Sequence, residues 1–392
     1  MAKRADDEGK SWPIWEYVAV SAEVAAELKY ERQLRDAARR AEEAAARLLS
    51  EIPKDLPDAP PASSALAAWN GPTLKVFSWE ALEQDRATME TLGQDSDDRQ
   101  RKSAIHERLL QRGDYRRLAR LPDDWRTQLD QIEVLFPNFT AVVDYLRAMF
   151  AVAEFGETSP HLDPLLFNGP PGVGKSLFAE RLGDFFGSGY RRVNMENAQT
   201  NAQLAGSDEF WSNSKTGAVF DALVEGDYAN PLFLLDEVDK VRGRQEFDPL
   251  GALYSLLEPA TAKTFRDLSM PRIALDASRI YWLLTSNEVS SIAAPLLSRI
   301  RRFDIPSPTP DQAVTILNTV YQAVQQEVRL PVAMAPLAPA IVATLSRVVP
   351  RRQRQILREA IGRTLYAGRR EISVHDLRLP DDAEMIGRRM GF

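Results

Sequence analysis

Cysteine is absent from this 392-residue chain. That excludes disulfides and thiolate metal sites. Histidine is scarce: His106, His161 and His375 stand far apart and read as packing or surface residues. No apolar run approaches the length that spans a bilayer. The N-terminus, MAKRADDEGK, leads into no apolar signal segment. No membrane role is therefore expected, and the expected compartment is cytoplasmic. The formal net charge of −7 argues against a general nucleic-acid coat, while leaving room for a local basic patch. What is present is 44% hydrophobic and 27% charged residues, the mixture of a soluble globular protein. The length suits about two or three domains.

The chain is organised around Leu165 to Ser176, LLFNGPPGVGKS. Gly169, Gly174, Lys175 and Ser176 fit the G-x-x-x-x-G-K-S/T spacing of a phosphate-binding loop. A short apolar strand ends in Gly169-Pro170-Pro171-Gly172-Val173-Gly174, where little side-chain bulk lets successive backbone N–H groups surround an anion. The helix beginning near Lys175, Ser176 and Leu177 points its positive end at the same place. Lys175 is expected to reach the β- and γ-phosphates of ATP, and Ser176 to hold Mg²⁺. Magnesium brought by the nucleotide is the one metal the composition supports.

Upstream, Ser21 to Ser50 is rich in Ala, Glu and Arg with i,i+4 charge pairs and reads as a helix. Ile52 to Ser64 is a proline-rich linker. Trp69, Val76, Phe77 and Trp79 suggest a small ordered element, and Gln94 to Gln100 a polar loop. Ser103 to Leu121 reads as a basic helix, with Arg108, Arg112, Arg116, Arg117 and Arg120. Such a helix suits a phosphate backbone, acidic surfaces or plain solvent. Beyond Leu121, strands at Tyr190 to Asn194, Pro231 to Leu235, Ile280 to Thr285 and Arg302 to Ile305 alternate with helices. Continuous apolar strand runs in such an order imply an α/β, doubly wound parallel sheet. After Pro306 to Pro310 the pattern is helical. The expected domains are 1–120, mainly helical; 121–305, the large α/β domain; and 306–392, a helical lid.

Two acids, Asp236 and Glu237, follow the apolar run Leu232 to Leu235. Asp236 is suited to holding Mg²⁺ through water, and Glu237 to acting as general base on a water attacking the γ-phosphate. Asn287, after Ile280 to Ser286, can orient that water without adding charge. Arg299 stands just before the last strand, where an arginine can neutralise charge that develops in phosphoryl transfer. Arg301 and Arg302 compete with it for this role.

These motifs in this order resemble the AAA+ ATPases, and among them the ATPase module of Lon proteases. The carriers are Gly169 to Ser176, Leu234 to Lys240 (LLDEVDK), Leu283 to Glu288 (LLTSNE) and Ala294 to Ile300 (APLLSRI). The resemblance covers roughly Leu121 to Leu379. It implies Walker A, Walker B, sensor 1 and arginine-finger roles for Lys175, Asp236 with Glu237, Asn287 and Arg299. It also implies a substrate-gripping pore loop over Leu204 to Gly217, with Phe210 and Trp211 at its tip, and a hairpin over Phe265 to Leu275. In the lid, Pro350 to Arg354 looks like the sensor 2 region, so Arg351 or Arg352 would touch nucleotide. Gln353 departs from the leucine usual there. Lon proteases carry a protease domain after the lid, and none is expected before Phe392, so the resemblance does not carry proteolysis. A ring, most simply a homo-hexamer, is expected to remodel a protein substrate, with any effector on a separate chain. A nucleic-acid motor acting through the basic helix and a nucleotide-switched scaffold are the alternatives.

Overall fold

In the computed structural model the described residues are 69–91, 96–156, 158–197, 200–209, 214–241, 248–330 and 332–379. The helix expected over Ser21 to Ser50, the linker after it, and Phe210 with Trp211 lie outside them. Thr73–Lys75 (β1) and Tyr115–Arg117 (β2) pair antiparallel, with helices Trp79–Thr91 (α1) and Ser96–Arg112 (α2) between. Then follow helices Trp125–Leu135 (α3) and Thr140–Phe155 (α4), strand Leu165–Asn168 (β3), helix Lys175–Phe186 (α5) and strand Tyr190–Asn194 (β4). Helix Ala218–Glu225 (α6) precedes strand Leu232–Asp236 (β5). Phe265–Arg266 (β6) and Ala274–Leu275 (β7) form the expected hairpin, and Tyr281–Ser286 (β8) and Arg301–Asp304 (β9) follow.

Five strands join in the order β4-β5-β8-β3-β9, every pair parallel. The central strands β5 and β8 are buried at every position, because helices cover both faces. One face is backed by α3, α4 and α5, packing on Leu165, Phe167, Leu234 and Leu283. The other is backed by α6, α1 and α2, whose Leu82, Ile105, Leu109 and Phe220 meet Leu166, Phe233 and Leu284. Pro310–Val328 (α7), Pro339–Leu345 (α8) and Pro350–Tyr366 (α9) enclose a core of their own. Each of these three helices starts on proline, whose fixed φ and missing N–H suit a first helical position. Thr309 and Gln312 close a capping box on α7.

Two expectations need correction. The loop expected over Gln94 to Gln100 is helical from Ser96 onward. The basic helix expected over Ser103 to Leu121 stops at Arg112, because Gly113 takes a left-handed φ of 72° and its N–H closes on Leu109 O at 3.0 Å. The chain then turns into β2. Arg116 is buried and donates to Leu223 O and Val224 O at the end of α6, each at 2.8 Å. Arg112 pairs with Asp227 at 2.8 Å, and Arg108 pairs with Glu225. These three guanidinium groups therefore face the chain's own acceptors. Among the described residues, no helix is long and apolar enough to cross a membrane.

Candidate nucleotide-binding site

The loop from Gly169 to Gly174 leaves the carboxyl end of β3 and runs into α5. A side chain at Gly169 is impossible, since its Cβ would sit 2.3 Å from Ile305 O. Gly172 and Gly174 hold φ values of 82° and 101°, where an L side chain is strained. The first N–H groups of α5 face this loop without intrahelical partners. Below it lies a ring of aromatic residues: Phe139 stacks on Phe178 at 4.4 Å between centroids, and Phe136 and Phe167 meet Phe178 edge-on. Asn138, on the turn before α4, donates to Val173 O at 3.2 Å and to Pro306 O at 3.1 Å. It ties the loop to the segment that leads from β9 into α7.

Lys175 is nearly buried. Its Nζ donates to Gly169 O at 2.6 Å, Pro170 O at 2.9 Å and Asn287 Oδ1 at 3.0 Å. Burial pushes its pKa down to about 8, against the opposing pull of Asp239, Asp236 and Glu237. Ser176 Oγ meets both carboxylate oxygens of Asp236, at 2.9 and 3.0 Å. Thr285 at the end of β8 also donates to Asp236, and Arg192 of β4 forms an ion pair with it. Glu237 takes a left-handed φ of 61°, held by its N–H on Thr285 Oγ1 at 2.9 Å, and pairs with Lys240 at 2.9 Å. Non-glycine residues rarely adopt that conformation, and such strain clusters at functional sites. Asn287 is set by its N–H on Asp239 Oδ2 at 3.1 Å. Lys175, Ser176, Asp236, Glu237 and Asn287 thus converge at the carboxyl edge of the sheet.

Arg299 does not join them. It precedes β9, whose Arg301 is in register with Leu165, so it stands at the amino edge of the sheet. The four residues of β3 put roughly 12 Å between the edges. There Arg299 reaches Pro295 O at 2.6 Å and Glu258 at 3.3 Å. Arg301 and Arg302 pair with Asp163 and Asp304, at 2.9 and 2.6 Å. Arg351 and Arg352 occupy the first turn of α9. A Cβ on Gly172 would lie 3.1 Å from Val349, which caps that turn, so both arginines begin beside the phosphate loop. Gln353, in place of a leucine, is buried and caps α8 through Leu345 O and Val348 O, at 3.0 and 2.9 Å.

Four neighbours of the site escaped sequence reasoning: Asn138, Arg192, Asp239 and Thr285. Thr285 carried a signal, because a hydroxyl at the end of a fully buried strand must find a partner. Arg192 carried none, since only sheet order brings β4 beside β5. A glycine loop lined with N–H groups, one buried cation, and a hydroxyl with a carboxylate as hard oxygen donors fit a magnesium-bound nucleoside triphosphate.

Residues 165–309 match the AAA family, described as the ATPase family associated with various cellular activities. Lon protease homolog 2, peroxisomal, of Kluyveromyces lactis is 34% identical over 201 residues, 45% of this chain and 20% of that protein. The Lon protease of Salinispora arenicola is 36% identical over 152 residues, 39% and 19% of the two chains. Lon protease 1 of Thermus thermophilus is 29% identical over 168 residues, 43% and 21%. The chain spans about a fifth of the length of these curated relatives. A parallel sheet with the phosphate loop at its carboxyl edge, and this match across it, make residues 165–309 an AAA-family ATPase domain of the kind found in Lon proteases.

Proposed function

We propose that the chain works as an ATP-hydrolysing motor in a homo-oligomeric ring, a hexamer in the simplest case, that remodels or unfolds a protein partner. Residues 121–305 act as the nucleotide domain and 306–392 as the lid. The observation that carries the reading is the convergence of Ser176, Thr285 and Glu237 around Asp236, with Lys175 and Asn287 beside it. Lys175 would neutralise the β- and γ-phosphates. Ser176 and Asp236 would hold Mg²⁺, which when bound supplies charge neutralisation along the phosphates. Glu237 takes the proton of the attacking water, and Asn287 orients that water. Arg351 or Arg352 reports the nucleotide to the lid. The distance of Arg299 from its own phosphate loop supports its use by the next subunit's site. Phe210 and Trp211 would grip an extended polypeptide through apolar contact that reads no sequence.

The test is a mixing experiment. Glu237→Gln should bind ATP but hydrolyse it roughly 10²–10⁴-fold more slowly. Arg299→Ala should keep nucleotide affinity in the isolated subunit yet lose turnover in the assembly. Mixed in one oligomer, the two should regain part of the lost turnover, because each spoils a different side of an interface. Wild-type turnover by Glu237→Gln would remove it as the base. Stimulation by DNA instead of by unfolded protein would exchange the substrate class.

A further inference from the structure

The loop between Ser207 and Gly217 stands on two stems, 207–209 and 214–217, and both are tied down. Ser207 N–H donates to Lys215 O at 2.9 Å, and Lys215 N–H to Ser207 Oγ at 2.7 Å. Glu209 N–H donates to Leu268 O at 3.1 Å, and Leu268 N–H to Ala205 O at 2.7 Å. Gly217 N–H donates to Asp267 Oδ2 at 2.8 Å. The two stems and the β6–β7 hairpin are therefore one hydrogen-bonded unit.

Two consecutive residues of α2 reach this unit, one to each stem. Arg101 donates to Ser214 O at 2.7 Å, and Lys102 Nζ lies 3.0 Å from Glu209 Oε2. The Lys102 side chain is 3% exposed and that of Glu209 16%, so the pair is largely desolvated. A buried ion pair is weak evidence for stability, and its better-attested use is to specify one register. The same helix carries His106, 2.9 Å from Asp85 on α1, and Asp85 also reaches Arg272 between β6 and β7 at 3.2 Å. Around these contacts Ile105, Leu204 and Ile273 share one apolar cluster, on the sheet face opposite the aromatic ring beneath the phosphate loop.

We propose that α2 is a lever that positions the 207–217 loop and the hairpin together. Lys102 and Arg101 are its positioning residues, setting the spacing of the two stems, and the Asp85–His106–Arg272 cluster is its second anchor. A displacement of α2 then changes how the loop meets a polypeptide while the nucleotide site keeps its geometry. The functional half rests on the reading of this loop as substrate-facing.

Lys102→Met alone strands the Glu209 carboxylate, so the decisive variant is Lys102→Met with Glu209→Gln, which removes both charges of this pair. Hydrogen exchange in the full chain at the Ser207, Lys215 and Gly217 amides reads the stems directly. Exchange about tenfold faster or more is expected at those amides, with the rest of the domain unchanged. Basal ATP turnover should stay at the wild-type rate, while stimulation by unfolded casein falls several-fold. Lys102→Arg, which keeps a cation, should restore slow exchange. Wild-type exchange at the stems of the double variant would overturn the lever, and so would exchange raised uniformly over the domain, which reports lost stability. Trp211→Ala is measured alongside. If it still responds fully to casein, the substrate-facing reading fails by itself, and stem exchange still decides the lever.

Discussion

The two faces of the sheet are held by different physics. Beneath the phosphate loop the contacts are ring on ring, with Phe139 on Phe178 at 4.4 Å and Phe150 on Phe185 at 5.2 Å. Opposite, under the 207–217 loop and the hairpin, apolar packing is supplemented by desolvated charge: Lys102 with Glu209, Asp85 with His106 and Arg272, and a buried Asp267. Interdigitated rings grip by shape and tolerate little displacement. An ion pair fixes register and can part and re-form. An anion site needs N–H groups that do not move, and a packed ring cluster beneath it supplies that rigidity.

The largest expected break falls on the aromatic face. Phe178→Ala should cost about 3–5 kcal/mol by urea denaturation, through a cavity among rings that cannot collapse. Because Phe178 lies in the first turn of α5, ATP affinity by calorimetry should fall with it. Full ATP affinity despite lost stability would separate the rings from the phosphate loop and undo the comparison.

Asp85→Leu should cost roughly 3 kcal/mol, since it strands His106 and Arg272. Here ATP affinity should hold, and a drop like that of Phe178→Ala would mean that the two faces are not independent. Burial pushes the Asp85 carboxyl up, but hydrogen bonds from His106 and Arg272 outweigh it and hold it below the ordinary carboxylate range. Its contribution is therefore present at neutral pH and lost as pH falls through its lowered value.

Asp267 behaves in the opposite sense. Burial pushes its carboxyl up to about 6, against hydrogen bonds from Ser269 and Gly217. Between that value and its unfolded one the native state holds the extra proton, so its contribution grows as pH falls. Relative to Asp267→Asn, the wild type should gain about 1 kcal/mol of stability between pH 7 and pH 5. Parallel pH profiles for the two proteins would remove Asp267 as the source of that slope.

Much of the nucleotide end was legible without coordinates, because its chemistry is local. Glycines where a loop must take positive φ, with a lysine and a hydroxyl opening the next helix, form one short stretch, and two acids closing a buried strand form another. Strands β5 and β8 were legible for a related reason: covered on both faces, they read as unbroken apolar runs. The end of α2 was misread although Gly113 marked it, because the arginines on either side continue the same composition across the break.

What the sequence by itself determined is thus the class of domain and the identity of the groups around the phosphate loop, since each short motif, a glycine loop with its lysine and hydroxyl or a buried strand with its acids, is readable by itself. Only the tertiary structure decided the partners of those groups. Asn138 meets Val173 across 35 positions, Arg192 meets Asp236 across 44, and Lys102 meets Glu209 across 107. Strand order and helix packing, rather than any local pattern, bring such pairs together. The same holds for the separation of Arg299 from Lys175, which follows from the parallel register of β9 on β3.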